Sequence, residues 1–246
     1  MLPVTMLPRV LWQYIASWLQ GNEALIHLRA TCRWLRRVEI HQLPRHMECH
    51  LTIERLQSVA TTLRHLDMCS YNNITNEIIQ GCTRLEWLDA SWTKITWFPP
   101  TLRHLNINRR EDVTNEMLQK CTRLERLDAC WTNVTWLPPT LRHLSIHGNR
   151  NITDNMLRNL GNLECLDASF ITITWFPSTL RHLDINGNRN VTNEMIQNCT
   201  RLEWLDARGT SITWFPSTLR HLNIYNDTNR ITNEMLVHLK NCKIIR

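Results

Sequence analysis

The sequence predicts an α/β solenoid: short parallel strands stacked side by side, backed by short helices and extended segments, and preceded by a small α-helical segment. Three observations predict it. The pentapeptide Thr-Leu-Arg-His-Leu occurs five times unchanged, beginning at Thr62, Thr101, Thr140, Thr179 and Thr218, a constant step of 39 residues. Self-similarity at a period of this size marks a repeat architecture. A second phrase of the same frame lies inside each step, at Leu85-Glu-Trp-Leu88-Asp-Ala and again from Leu124, Leu163 and Leu202. Both phrases read Leu, two residues, Leu, one residue, then a small or apolar residue. The step therefore holds two units, one of 22 residues (Leu63 to Leu85) and one of 17 (Leu85 to Leu102). Finally, the segments that return the chain between phrases alternate between helix-forming and proline-bearing chemistry.

Residues 1–40 read differently from the repeats. Leu7-Pro8 opens an apolar series of Leu11, Ile15, Trp18 and Leu19, spaced for one helical face with Pro in the first turn. Gly21-Asn22 breaks it, and a second series of Leu25, Leu28, Cys32 and Leu35 ends in the basic cluster Arg33, Arg36 and Arg37. Two helices this short cannot bury their own apolar faces, so they need a partner or the adjoining repeats. The order and spacing of these residues resemble an F-box, the helical motif that docks on the Skp1 subunit of cullin-RING ubiquitin ligases. The resemblance implies that Leu7, Pro8, Leu11, Ile15, Leu19, Leu25, Leu28 and Leu35 form the Skp1 contact. The other reading is a helical cap on the repeat array. Residues 41–62 form a linker, with Pro44 at the joint and a degenerate capping repeat around Cys49, Leu51 and Leu56.

Residues 63–246 form the array proper, about nine repeats in 22 + 17 alternation plus a C-terminal cap. Each unit predicts a short strand on Leu-x-x-Leu-x-apolar. In the longer units the return is Ile74-Thr-Asn-Glu, Val113-Thr-Asn-Glu and Val191-Thr-Asn-Glu, where Thr-x-Glu supplies helix N-terminal chemistry. The shorter units return through Trp97-Phe98-Pro99, Trp136-Leu137-Pro138, Trp175-Phe176-Pro177 and Trp214-Phe215-Pro216, where proline forbids a helix and predicts an extended segment. These tryptophans recur with the period, which predicts structural stacking. The frame and unit length resemble the leucine-rich repeat. The longer units are similar to its cysteine-containing class, common in F-box proteins, and the shorter to the proline-bearing repeats of bacterial and amoeba-associated proteins. Residues 233–246 predict a helix and the start of one more strand.

Charge and cysteine usage narrow the functional classes. The net charge is +6, but the slot after the first Leu holds Arg64, Arg103, Arg142, Arg181 and Arg220 in the longer units and Glu86, Glu125, Glu164 and Glu203 in the shorter. Parallel strands about 4.8 Å apart would set these as an alternating-charge ladder. No unpaired basic stripe is then left for nucleic acid. No apolar run approaches a membrane span. Nine cysteines, an odd number, and an N-terminus without the basic-then-apolar order of a secretory leader predict a reducing compartment. The expected location is cytoplasmic, with the nucleus or a host cytosol as alternatives. Cys82, Cys121 and Cys199 share a slot that holds Leu160 in the remaining copy, so they read as core.

Residues either side of the second Leu should line the open strand face. One row runs His65, Trp87, His104, Arg126, His143, Cys165, His182, Trp204, His221, and its neighbour is mostly Asp. A third row includes Cys130, His147, Arg208 and Tyr225. Core slots scarcely change between copies, whereas these do, which predicts a recognition surface with Trp87, Arg126, Trp204, Arg208 and Tyr225 as substrate-binding anchors. The His and Asp rows are expected to hydrogen-bond to each other rather than hold a metal, which needs several converging ligands. No catalytic constellation or cofactor motif stands out, and no cofactor is expected. The sequence reads as an F-box and leucine-rich-repeat adaptor that binds Skp1 and a protein substrate for an SCF-type ligase. The alternative is a non-catalytic scaffold or effector that binds a partner without ubiquitin delivery.

Overall fold

The computed structural model describes residues 56–57, 60–69, 74–225 and 230–246. The helical segment expected over residues 1–40, with Leu7 to Leu35, lies outside the described residues, as does most of the linker. The chain divides into two compact units, the first ending at Leu102 and the second comprising Arg103–Arg246.

In the first unit a single 3-10 turn, Ala60–Thr62, leads into β1 (His65–Asp67), followed by α1 (Asn76–Gln80) and β2 (Trp87–Asp89). The two strands are parallel, with Leu66 opposite Leu88. Both leucines are fully buried, as are Leu63, Leu85 and Phe98.

The second unit repeats this plan. Its strands are β3 (His104–Asn106), β4 (Arg126–Asp128), β5 (His143–Ser145), β6 (Cys165–Asp167), β7 (His182–Asp184), β8 (Trp204–Asp206), β9 (His221–Asn223) and β10 (Lys243–Ile245). Each pairs in parallel with the next in sequence, and the central leucines Leu105, Leu127, Leu144, Leu166, Leu183, Leu205 and Leu222 stand in register. Each is 3% exposed or less, and full burial of a leucine stabilises by about 1.5–3 kcal/mol. The longer repeats return through α2 (Asn115–Gln119), α3 (Asp154–Leu157), α4 (Asn193–Gln197) and α5 (Asn233–Leu236). The shorter ones return without helix, as Pro138, Pro177 and Pro216 require. Cys82, Cys121 and Cys199 are wholly buried, like Leu160 in the same slot. Burial pushes their thiols up, to about 11 for Cys82 and about 12 for the other two.

Threonine and asparagine side chains tie repeat to repeat in ways the spacing alone does not disclose. In the last four pentapeptides the threonine donates its hydroxyl to the carbonyl of the leucine 16 residues earlier: Thr101 to Leu85 (2.6 Å), Thr140 to Leu124 (2.5 Å), Thr179 to Leu163 (2.6 Å) and Thr218 to Leu202 (2.6 Å). The Thr-Asn-Glu triplet also divides its labour differently from expectation. Thr75 and Thr114 occupy N-cap positions, yet their hydroxyl oxygens accept no cap bond from the helix backbone. At the equivalent Thr192 the hydroxyl donates to Glu194 Oε2 at 2.5 Å. The asparagine reaches across to the next return: Asn115 Oδ1 accepts the amides of Thr135 and Trp136, both at 3.0 Å, and Asn193 Oδ1 those of Thr213 and Trp214, at 2.9 and 3.1 Å. Asp154 replaces asparagine in the third copy and keeps both amide bonds. There the hydroxyl bond reverses: Asn115 Nδ2 donates to Thr135 Oγ1, whereas Thr174 Oγ1 donates to Asp154 Oδ2.

The charge ladder resolves into discrete pairs. Four of the five arginines meet the glutamate 22 residues on, Arg64 with Glu86 in the first unit, and Arg103 with Glu125, Arg142 with Glu164 (2.6 Å) and Arg181 with Glu203 in the second, while Arg220 reaches back to Glu203 at 4.0 Å. The side chains of those four pairs are about one-third to one-half exposed, so each pair is worth at most about 1 kcal/mol.

Candidate strand-face recognition site

Strand pairing in the second unit places Arg126, His143, Cys165, His182 and Trp204 side by side on β4 to β8. They flank buried leucines, so alternation along each strand turns them to the opposite face. Together with Asp128, Asp167 and Asp184 they line a cavity of about 410 Å³. Arg126 and Trp204, two of the anchors expected from the sequence, thus meet in one hollow.

The other anchors are placed differently. Arg208 ends the same segment as Trp204, but its guanidinium grips Asp206, with Nε 2.9 and 3.0 Å from the two carboxylate oxygens. Asp206 is only 2% exposed, and an unpaired charge there would be costly. Tyr225 follows β9 and is 53% exposed. Trp87 belongs to the first unit, where it is half-buried on β2. The periodic tryptophans of the returns are mostly half-buried, and Trp175 carries the Arg158 guanidinium 4.8 Å above its ring.

Three carboxylates of the Asp row fold back on the chain: Asp167 Oδ1 accepts the Ser169 amide at 3.0 Å, Asp184 Oδ1 the Asn186 amide at 2.9 Å and Asp206 Oδ1 the Arg208 amide at 3.1 Å. This Asx geometry takes up an N–H exactly where the strand ends and its ladder stops. The carboxylates thereby crowd beneath the cavity. Burial, with the neighbouring Asp206 and Asp167 charges, pushes Asp184 up from 3.8 to about 6. Burial lowers His143, and the Arg126 charge lowers it further.

Cys165 Sγ lies 3.5 Å from His182 Nδ1. Burial raises its thiol, and the Glu164 charge adds to this, the reverse of what an activated nucleophile requires. His182 also lies against Trp204, ring centroids 6.5 Å apart. Among the described residues, no three His, Cys, Asp or Glu side chains form a group that could hold a metal ion.

Two rows escaped the sequence reading. Asn149 and Asn188 are buried, and their Nδ2 groups donate to the carbonyls of Val134 (3.3 Å) and Ile173 (2.6 Å) in the preceding return. Trp92, Trp131 and Phe170 form the second: exposed aromatic residues with positive φ just beyond the strands. Their signal was an aromatic residue four places after the central leucine in successive shorter units, where the fourth copy has Gly209.

The profile of a family described as "Leucine Rich repeat" matches residues 177–194. Among solved structures, the chain is similar to a leucine-rich-repeat protein of Leptospira interrogans, with TM-score 0.53 and 16% identity over 87% of this chain and 67% of that one. It is similar to the functional domain of InlJ from Listeria monocytogenes, described as including a cysteine ladder, with TM-score 0.53 and 22% identity over 74% of this chain and 43% of that one. A third likeness is to TLR13 in its complex with ssRNA13, with TM-score 0.53 and 15% identity over 91% of this chain and 41% of that one. The chain spans less than half the length of the latter two. At these identities the likeness is one of fold. The sequence matches no curated protein.

Proposed function

We propose that this leucine-rich-repeat protein is a non-catalytic adaptor whose strand face holds a protein partner. The observation that carries the reading is the contrast within one period. Core leucines repeat without change, while one strand-face slot holds Arg126, Cys165 and Trp204 around a single cavity of about 410 Å³. Trp and Arg are the residues that most often anchor interfaces. The carboxylates beneath Trp204 favour a basic side chain of the partner over an acidic one. No bond chemistry is assigned to the chain, because Cys165, the one thiol set beside a histidine in this cavity, has its proton held more tightly than usual.

The finer reading is that residues 1–40 act as an F-box. Leu7, Pro8, Leu11, Ile15, Leu19, Leu25, Leu28 and Leu35 would dock on Skp1, and the partner on the strand face would be the substrate of an SCF-type ligase in the cytoplasm. Catalysis by the other subunits would then gain from effective concentration alone. A scaffold or effector would need only the strand face, and the cavity favours that second reading equally.

A photo-cross-linker tests the shared part. Benzoylphenylalanine replaces Arg126 in one variant and the exposed Gln119 of α2 in another. Protein adducts from position 126 and none from position 119 are expected in cell extract. Equal adducts from both positions would remove the strand face as the recognition surface.

A further inference from the structure

Beyond each of β2 to β8 the residue four places after the central leucine takes a left-handed backbone. Glycine fills that place at Gly148, Gly187 and Gly209, with φ of 68°, 74° and 63°, as the conformation favours. Trp131 and Phe170 hold the same place in the intervening repeats, at φ 55° and 56°, where a side chain crowds the backbone and is disfavoured. Burial does not offset that cost, since the two are 45% and 54% exposed. Each ring lies instead across the next glycine. A Cβ on Gly148 would stand 2.8 Å from the Trp131 indole, and one on Gly187 would stand 2.8 Å from the Phe170 ring. His147 sits between the rings, with centroids 5.3 and 5.2 Å away, and its Nδ1 is 2.6 Å from Ser169 Oγ.

We propose that these rings wall a second binding site, which takes an acidic peptide segment of a partner protein anchored by one aromatic side chain. They border a cavity of about 530 Å³ whose lining includes Arg150 and Arg189 and no carboxylate. The strand-face cavity, lined by Asp128, Asp167 and Asp184, has the opposite charge character. Strained, exposed aromatics that cover glycines mark a surface kept for contact, and the two arginines set the sign of what it contacts. Single-stranded nucleic acid also offers rings and negative charge, but binding it calls for a basic groove that tracks the backbone. Here the neighbouring strand face presents the Asp row. A peptide needs only two local carboxylates. This site is independent of the F-box reading and of the strand-face cavity.

The test titrates the fluorescein-labelled peptide Gly-Glu-Glu-Phe-Glu-Glu-Gly into the full chain and reads anisotropy. Saturable binding is expected, weakened at least about tenfold when the peptide Phe becomes Ala or its Glu residues become Lys. The R150E/R189E variant changes only exposed side chains, so it should show the same loss with an unchanged circular dichroism spectrum. D184N, on the strand face, should bind as the native chain does. Absence of saturable binding, equal binding of the lysine peptide, or unaltered binding by R150E/R189E would each overturn the proposal. Tighter binding of a labelled single-stranded oligonucleotide, lost in W131A, would replace the peptide by nucleic acid and overturn it too.

Discussion

Asp184→Asn changes one carboxylate beneath the strand-face cavity and little else. Asp184 Oδ1 accepts the Asn186 amide, and an asparagine oxygen can accept the same bond. What the substitution removes is a charge held next to Asp206 and Asp167 in a partly dry site. The rise from 3.8 to about 6 corresponds to about 3 kcal/mol, at about 1.4 kcal/mol for each tenfold change in proton affinity. Partial exposure screens this to about 1–2 kcal/mol. The sign follows from linkage. The folded-state value lies above the unfolded one, so the favourable contribution is complete below about pH 4 and is lost as pH rises through about 6. D184N should therefore be more stable than the native chain by about 1–2 kcal/mol at pH 7.5, and the gap should close towards pH 4. Paired urea unfolding curves followed by far-ultraviolet circular dichroism measure it. A gap independent of pH, or a native chain more stable than the variant at pH 7.5, would refute the electrostatic account of this floor.

Further outcomes follow from the same geometry. Asn115→Ala strips the acceptor from the Thr135 and Trp136 amides and should cost about 1–2 kcal/mol in urea unfolding, while Asn115→Asp should cost much less, since Asp154 already serves there. Asn188→Ala leaves the Ile173 carbonyl without its 2.6 Å donor in a buried site and should cost about 1–3 kcal/mol; a neutral result would remove this row from the stabilising contacts. Cys82, Cys121 and Cys199, buried with thiols at about 11 to 12, should stay unlabelled by maleimide at pH 7.5 while exposed Cys69 reacts, as peptide mass spectrometry will show. Rapid labelling of the three in the folded chain would contradict their placement as core.

The strand centres were legible because both leucines of each phrase are among the residues the fold buries most completely, and burial is what a period records. Proline made the extended returns legible as well. The asparagine clamp was not, because Thr-Asn-Glu reads locally as a helix start while the partner amides lie 20 and 21 residues further on. The pentapeptide threonine was invisible for the same reason. On the candidate site, Arg126, Cys165 and Trp204 came together because residues of one slot stand in register on alternate strands, with His143 and His182 between them. Arg208 did not join them as a free anchor, since the buried Asp206 two residues away claims its guanidinium. Trp131 and Phe170 went unread because a positive φ leaves no mark on a residue other than glycine.

The adaptor account stands most directly on one measurement, a pull-down of purified Skp1 by the full chain beside a Leu7→Ala/Pro8→Ala/Leu11→Ala variant, with the circular dichroism of both chains compared. The account predicts capture by the native chain and loss in the variant, with the repeat signal unchanged. Failure of the native chain to capture Skp1 would contradict the F-box reading and leave a leucine-rich-repeat protein that binds its partner without ubiquitin delivery.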